Sequence, residues 1–432
     1  MNISSHPSAL LRTLISAVLL ISAVNVTGAR AEAARISINW WSTPAWSVDG
    51  DVYGWQKQMI AEFEASHPDV EVDLTQLSWA DATTKLNTAI MARRFPDLVS
   101  GGQPATWALQ GILEPVDPYL SDADQADYYP AALQKYTVNG SIYGWPWFTT
   151  TYVIYLNLDI FKERGVQPPV NGNWTWDEFV EKARQLTFKG EDGQQVYGFG
   201  AIMQPWYYQS FGILLSDGGR LVSEDGKRFM LNTPEGVSGL GKLVDLVQRY
   251  KVSPLAMGSV TDADMTKMFT DGHLAMLAQG TFLIRSLEKA LQEGNGFNFG
   301  IANYPIGQLG RPVSLHEGVG GFVVFKQTNS EKRDAVMEFA RFITSPENQK
   351  ALSNYGVFPS RKSVGNIYPN DEYLAWAQRE AVPTLVIPPV APSWLEADRA
   401  IVPFFQLAIL GNAPAEQAMR DAETAANRIL GK

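Results

Sequence analysis

Ile36-Ser37-Ile38-Asn39-Trp40-Trp41-Ser42 and, further along, Val70-Glu71-Val72-Asp73-Leu74 decide the fold class. In the first stretch Ile36, Ile38 and Trp40 alternate with other residues, the period of a half-buried strand. A polar loop follows from Ser42 to Gly54. Trp55, Met59, Ile60 and Phe63 then recur at helical spacing, and His67-Pro68-Asp69 stops that helix. Val70, Val72 and Leu74 alternate once more. Strand, helix, strand in this order predicts a βαβ unit, parallel pairing and an α/β fold.

The same logic recurs downstream. Thr175-Trp176-Asp177-Glu178 reads as a capping box, with Trp176, Phe179, Val180, Ala183 and Leu186 as the buried stripe of its helix. Asp271-Gly272 turns the chain into a short strand around Leu274 and Met276, and Gly280-Thr281 opens another helix. Phe322 to Phe325 forms a short apolar strand after Gly318, Gly320 and Gly321. A helix from Ser330 to Ile343 follows, Ser345-Pro346-Glu347 begins the next with Pro in its first turn, and Ala418 to Ile429 marks a C-terminal helix. The prolines from Pro383 to Pro392 mark an ordered extended segment.

The N-terminus carries an address. Arg12 precedes an apolar run from Leu14 to Val24, and Ala29-Arg30-Ala31 supplies small residues for cleavage. A membrane anchor is the competing reading, but the run is short for a bilayer span. The mature chain is expected to start near Glu32. The chain holds no cysteine, which excludes disulfides, thiol chemistry and a lipid-modified cysteine tether. Removing Arg12 and Arg30 takes the formal charge from −10 to −12. An acidic chain without a basic run suits neither nucleic acid nor anionic lipid. The expectation is a freely diffusing periplasmic protein.

With these elements in place, the chain resembles the sugar-binding proteins of bacterial ABC importers, the class that includes maltose- and glycerol-phosphate-binding proteins. Phe95-Pro96-Asp97-Leu98 through Gly111-Ile112-Leu113-Glu114-Pro115-Val116-Asp117 is similar to one conserved segment of that class. Asn139-Gly140-Ser141-Ile142-Tyr143-Gly144-Trp145-Pro146 resembles its crossover. Tyr155-Leu156-Asn157-Leu158-Asp159-Ile160-Phe161, Trp174 to Phe179 and Phe269 to Met276 resemble three further segments in order. The resemblance implies two α/β lobes, each a sheet flanked by helices, with hinge crossings near Trp147, Tyr304 and Ser345. After a 1–31 signal peptide, the first lobe would comprise 32–147 and 304–345, the second 148–303 and 346–432. It implies a sugar held between the lobes, delivery to permease subunits in the inner membrane, a monomer, no cofactor and no catalysis.

Candidate ligand residues combine this resemblance with the rule that α/β sheets bind at the carboxyl ends of strands. Trp41, Ser42 and Trp46 follow the first strand, Trp79 the second and Gln103 the third. A flat ring suits the C–H face of a sugar, and a glutamine amide both donates and accepts. Each ring faces either the cleft or the core, and two-thirds or so of the tryptophans are expected to be core. Trp147 and Thr150 lie at the first crossing. Trp206 and Tyr208 precede a segment resembling the class's Asp-Gly-Gly region. Gly280 and Phe282 lie at a helix start, where free N–H groups bind oxygens. Glu317, Gly318 and Arg361 complete the set.

Sharper chemistries weaken on inspection. His67, His273 and His316 lack the spacing of a zinc site. Gly318-Val319-Gly320-Gly321 lacks the Lys-Ser/Thr of a P-loop. Tyr128-Tyr129 and Tyr207-Tyr208 permit a ferric site, against the pattern of the whole chain. The rivals are a secreted glycoside hydrolase, which needs two opposed carboxylates, and a receptor for a polyol, glycerol phosphoester or polyamine.

Overall fold

The computed structural model describes residues 35–78, 81–191, 193–391 and 393–431. The signal peptide and Trp79 lie outside them. The opening reading holds: strand Ile36–Ser42, helix Gly54–Ser66 and strand Val70–Gln76 form a parallel βαβ unit, registered from Ile36 on Val70 to Ser42 on Gln76.

This unit is the edge of a six-stranded sheet. Across it run Val70–Gln76, Ile36–Ser42, Leu98–Ser100, Val319–Val324, Trp145–Thr149 and Phe358–Pro359. The first three are parallel, whereas Val319–Val324 pairs antiparallel on both sides. The sheet is mixed because Val319–Val324 enters from a different part of the chain. Trp40 organises the core beneath it, edge-on to Trp55, Phe322 and Phe339 with ring centroids 6.0, 6.0 and 5.3 Å away. Full burial of such a ring removes a large apolar area from water.

A second sheet has Tyr152–Asn157 at its centre, antiparallel to Met276–Gly280 and Phe299–Ala302. All six residues of the central strand are buried, the pattern of a strand covered on both faces. The capping box forms: Thr175 Oγ1 accepts from the Glu178 amide, and Glu178 Oε2 accepts from the Thr175 amide at 2.8 Å. Helices Trp394–Ile409 and Ala415–Leu430 pack on this second core. The first of the two escapes sequence reading because Pro403 lies inside it.

The chain passes from strand Trp145–Thr149 of the first sheet to strand Tyr152–Asn157 of the second through Thr150–Thr151. Tyr304, however, belongs to the second core, where its hydroxyl donates to Gln209 O at 2.7 Å and its ring fills the space beside Gly212. Val313 and Leu315 are also there, so the chain returns only at His316–Gly318, ahead of strand Val319–Val324. The chain also stays past Ser345, because Phe358–Pro359 pairs with Trp145–Thr149 and Ser360 Oγ donates to Pro146 O. Among the described residues no helix is long and apolar enough to cross a membrane.

Candidate functional site

The strand ends of the first sheet form one half of the site. Ser42 is buried and tied off: its Oγ accepts from Gln56 Nε2 at 3.2 Å and donates to Thr43 O at 3.0 Å. Trp41 is half-buried against the first core with its Nε1 turned inward. Gln103 fares better, being exposed and lining a cavity of about 230 Å³ with Thr43, Asn87, Ser100 and Trp107. Gly102 makes that shape possible: at φ +90°, any Cβ would lie 2.2 Å from the Trp107 ring.

The aromatic residues here form a stack. Trp55 lies 4.4 Å from Trp147, and Trp46 lies 5.0 Å from Trp55 and 6.1 Å from Tyr355. Trp147, one of the expected ligand residues, is only 5 % exposed and packs in the first core. Trp46 is half-buried and keeps part of its surface in the open. Tyr355, unforeseen, completes the stack.

The second half presents exposed rings. Trp206, Tyr207 and Phe282 are 42 %, 44 % and 55 % exposed. Tyr208 is the reverse: it is buried, accepts a hydrogen bond from Trp394 Nε1 at 3.1 Å and stands edge-on to Phe211. Its neighbour Tyr207 takes the exposed place expected of it. Gly280 does not offer its amide to a ligand, since that N–H donates to Gln279 Oε1 at 2.8 Å. Its lack of a side chain matters instead, because a Cβ there would meet the Phe282 ring at 2.1 Å. Asp262 Oδ1 links the two segments, accepting from both Gln209 and Gln279.

The two halves are joined by Thr150–Thr151 and His316–Gly318. The Thr150 amide donates to Gly318 O at 2.6 Å, and Thr150 Oγ1 lies 3.2 Å from His316 Nδ1. A Cβ on Gly318 would lie 2.2 to 2.4 Å from His316 Nδ1 and from the Thr150 oxygens. Gly318 is therefore required by close approach of the connectors and Thr150 is engaged by them. Burial pushes His316 down to about 4, so it is neutral at physiological pH. Glu317 is exposed, with Lys135 at 3.7 Å. Asp398, in helix Trp394–Ile409, is fully buried and raised to about 7, by burial first and then by the negative field of Glu317.

Arg361 lies elsewhere. It is 4 % exposed, paired with Asp124 at 3.2 Å and Asp127 at 3.3 Å, and stacked 4.2 Å over Tyr128. It clasps the chain after Pro359 to helix Asp122–Asp127. A larger groove of about 910 Å³ runs past Gln134, Asn139, Leu221, Lys227 and Pro389. None of the expected ligand residues lines it. Val138 of the first core and Leu215 and Leu221 of the second line it, whereas the exposed rings Trp206, Tyr207 and Phe282 lie outside it. Among the described residues no cluster of three or more His, Asp or Glu is placed to hold a metal ion.

Sequence reading thus found Trp46, Gln103, Trp206, Phe282 and Glu317 in accessible positions. Three residues outside that set adjoin it: Tyr207 next to Trp206, Tyr355 against the Trp46 ring and Asp398 at the Trp206 amide. Tyr207 was within reach, as it adjoins two chosen residues; Asp398 carried no local signal.

Residues 58–383 match the family described as bacterial extracellular solute-binding protein. A galactooligosaccharide-binding protein of Bacillus subtilis is 25 % identical over 391 residues, covering 87 % of each chain. A Brucella abortus binding protein is 26 % identical over 381 residues, covering 86 % of this chain and 88 % of its own. The crystal structure of the cyclic alpha-maltosyl-1,6-maltose binding protein of Arthrobacter globiformis superposes with a TM-score of 0.75 at 21 % identity, covering 92 % of this chain and 99 % of that one.

Proposed function

We propose, because this chain belongs to the family of bacterial extracellular solute-binding proteins, that it captures a carbohydrate between two lobes and delivers it to the permease of an ABC importer. The lobes are those of the two cores, with the chain passing between them at Thr150–Thr151, at His316–Gly318, after Pro359 and around Leu385 and Ile387, which pack in the first core. The observations that carry the reading are the exposed rings of Trp206, Tyr207 and Phe282 and the hydrogen-bonding side chains near them in sequence, Gln209 and Gln279, which share Asp262. Exposed rings of this kind are costly to leave in water and suit the apolar faces of a sugar. The sugar-binding names of the relatives support the same class of ligand.

Closure of the lobes brings Gln103 and the Trp46 edge toward the second half, so affinity includes the free energy of populating the closed form. Recognition needs no cofactor and no catalytic group. The chain acts outside the cytoplasm, exported by its first residues, as a monomer. A glycerol phosphoester fits less well, because Arg361, the one basic candidate, is committed to Asp124 and Asp127.

Thermal unfolding of the mature protein with a panel of mono-, di- and trisaccharides, polyols and glycerol phosphoesters tests this. A ligand at a hundredfold excess over its Kd adds about 2.7 kcal/mol. A rise in Tm with one sugar class, and recovery of that sugar unchanged, is the expected result. Turnover of an aryl glycoside would replace the receptor with a hydrolase, and a rise only with phosphoesters would replace the sugar.

A further inference from the structure

Trp206 has φ +73°, a left-handed backbone that a bulky aromatic residue rarely adopts. It sits in a tight turn in which the Tyr207 amide donates to Gln204 O at 3.1 Å. Such a conformation persists where the surroundings over-determine it. Helix Trp394–Ile409 does so at four points. Asp398 Oδ2 accepts the Trp206 amide proton at 2.8 Å, and the Arg399 guanidinium lies 5.1 Å over the indole. Trp394 Nε1 donates to the Tyr208 hydroxyl, and Gln406 Nε2 donates to Met203 O at 2.7 Å.

The Asp398 clamp is unusual among these. The carboxyl group is fully buried, and its Oδ1 has no hydrogen-bond partner. An asparagine would hold the same amide without the desolvation cost of a charge. What the carboxyl adds is a proton that comes and goes. When it is ionised, its bond to the Trp206 amide is charge-assisted and strong; when it is protonated, the bond is an ordinary neutral one.

We propose that Asp398 is a positioning residue that couples the orientation of the Trp206 ring, and through it ligand affinity, to pH. The clamp is tight when Asp398 is ionised and slack when it is protonated. This rests on Trp206 facing the ligand, as the proposed function has it. The groups that face Asp398 are the Trp206 amide and Tyr208 from the loop and Glu317 from the connector, with Arg399 of its own helix turned onto the indole. Burial and the Glu317 charge both favour the protonated form, which places the transition near pH 7.

The test uses ligand-free mature protein carrying 5-fluorotryptophan and, in a second sample, ¹⁵N-tryptophan. The Trp206 signals are identified by their loss in Trp206→Phe. On titration from pH 5 to 9, the Trp206 fluorine resonance and backbone amide are expected to shift together with one midpoint near 7. In Asp398→Asn, with the other tryptophan signals in place, both are expected to be flat. A flat fluorine resonance in the wild type overturns the proposal, as does an amide that titrates while the ring does not. These outcomes stand on the wild type alone if the variant does not fold. The same titration in folded Asp398→Asn overturns it too. Since no sugar is present, failure of the receptor reading leaves this measurement intact. With a sugar in hand, Kd is expected to rise about fivefold from pH 8 to 5.5 in the wild type and to stay constant in Asp398→Asn. An unchanged wild-type Kd would break the link to affinity.

Discussion

Replacing Arg361 by Ala should weaken the fold and spare the ligand. The guanidinium is 4 % exposed and lies 3.2 and 3.3 Å from carboxylates that are themselves 22 % and 18 % exposed. Breaking a fully buried pair costs about 3–5 kcal/mol. Because the two acids keep some contact with water, the expectation here is nearer ~2–4 kcal/mol, including the lost stacking on Tyr128. A chain of this size has an unfolding entropy near 0.8–0.9 kcal/mol/K, so Tm should fall by about 2–5 °C. The pH dependence adds a second signature. Burial is the largest single influence on Asp124 and raises it, but hydrogen bonds from Ser121 and Arg361 outweigh burial and hold it below its ordinary 3.8. A carboxylate lowered in this way stabilises the native state above its unfolded value, and that stability is lost as pH falls through the folded value. The gap between wild type and Arg361→Ala should therefore narrow below about pH 4. Calorimetry across pH, with titration of whichever sugar binds, measures both quantities. A variant with wild-type Tm and lost affinity would refute the reasoning and return Arg361 to the cleft.

Other outcomes follow from single features. Trp206→Ala and Phe282→Ala should each weaken sugar binding by ~1–2 kcal/mol, about five- to thirtyfold, with little change in Tm, because the rings are exposed. Isothermal calorimetry checks this, and lowered stability with intact affinity would make them packing residues. Gly318→Ala should destabilise by about 1–3 kcal/mol in thermal unfolding, since its Cβ would lie within 2.4 Å of His316 and Thr150 atoms. For Asp398, raised from 3.8 to about 7, the folded state binds the proton more tightly than the unfolded chain does. Its favourable contribution is complete below the unfolded value and is lost as pH rises through the folded one. Wild-type stability should therefore decline relative to Asp398→Asn between pH 4 and 7, by at most ~4 kcal/mol. Parallel stability profiles would show that the group does not titrate there.

What the sequence by itself determined is local or periodic. Alternation in Ile36–Ser42 and helical spacing after Gly54 specify the βαβ unit, because side-chain direction repeats every two residues in a strand and every 3.6 in a helix. The Thr175–Glu178 capping box forms because both partners lie within one turn. Periodicity also separates Trp40 from Trp41, since neighbours in a strand point to opposite faces. Only the tertiary structure decided which faces stay open. Trp147 and Tyr208 are covered by Trp55, Trp394 and Phe211, whereas Trp206 and Phe282 are not. Arg361 is held by acids 234 and 237 residues away, and Asp398 meets Trp206 across 192. Burial and ion pairing are properties of what the whole chain places beside a group, and no window of neighbouring residues contains that information.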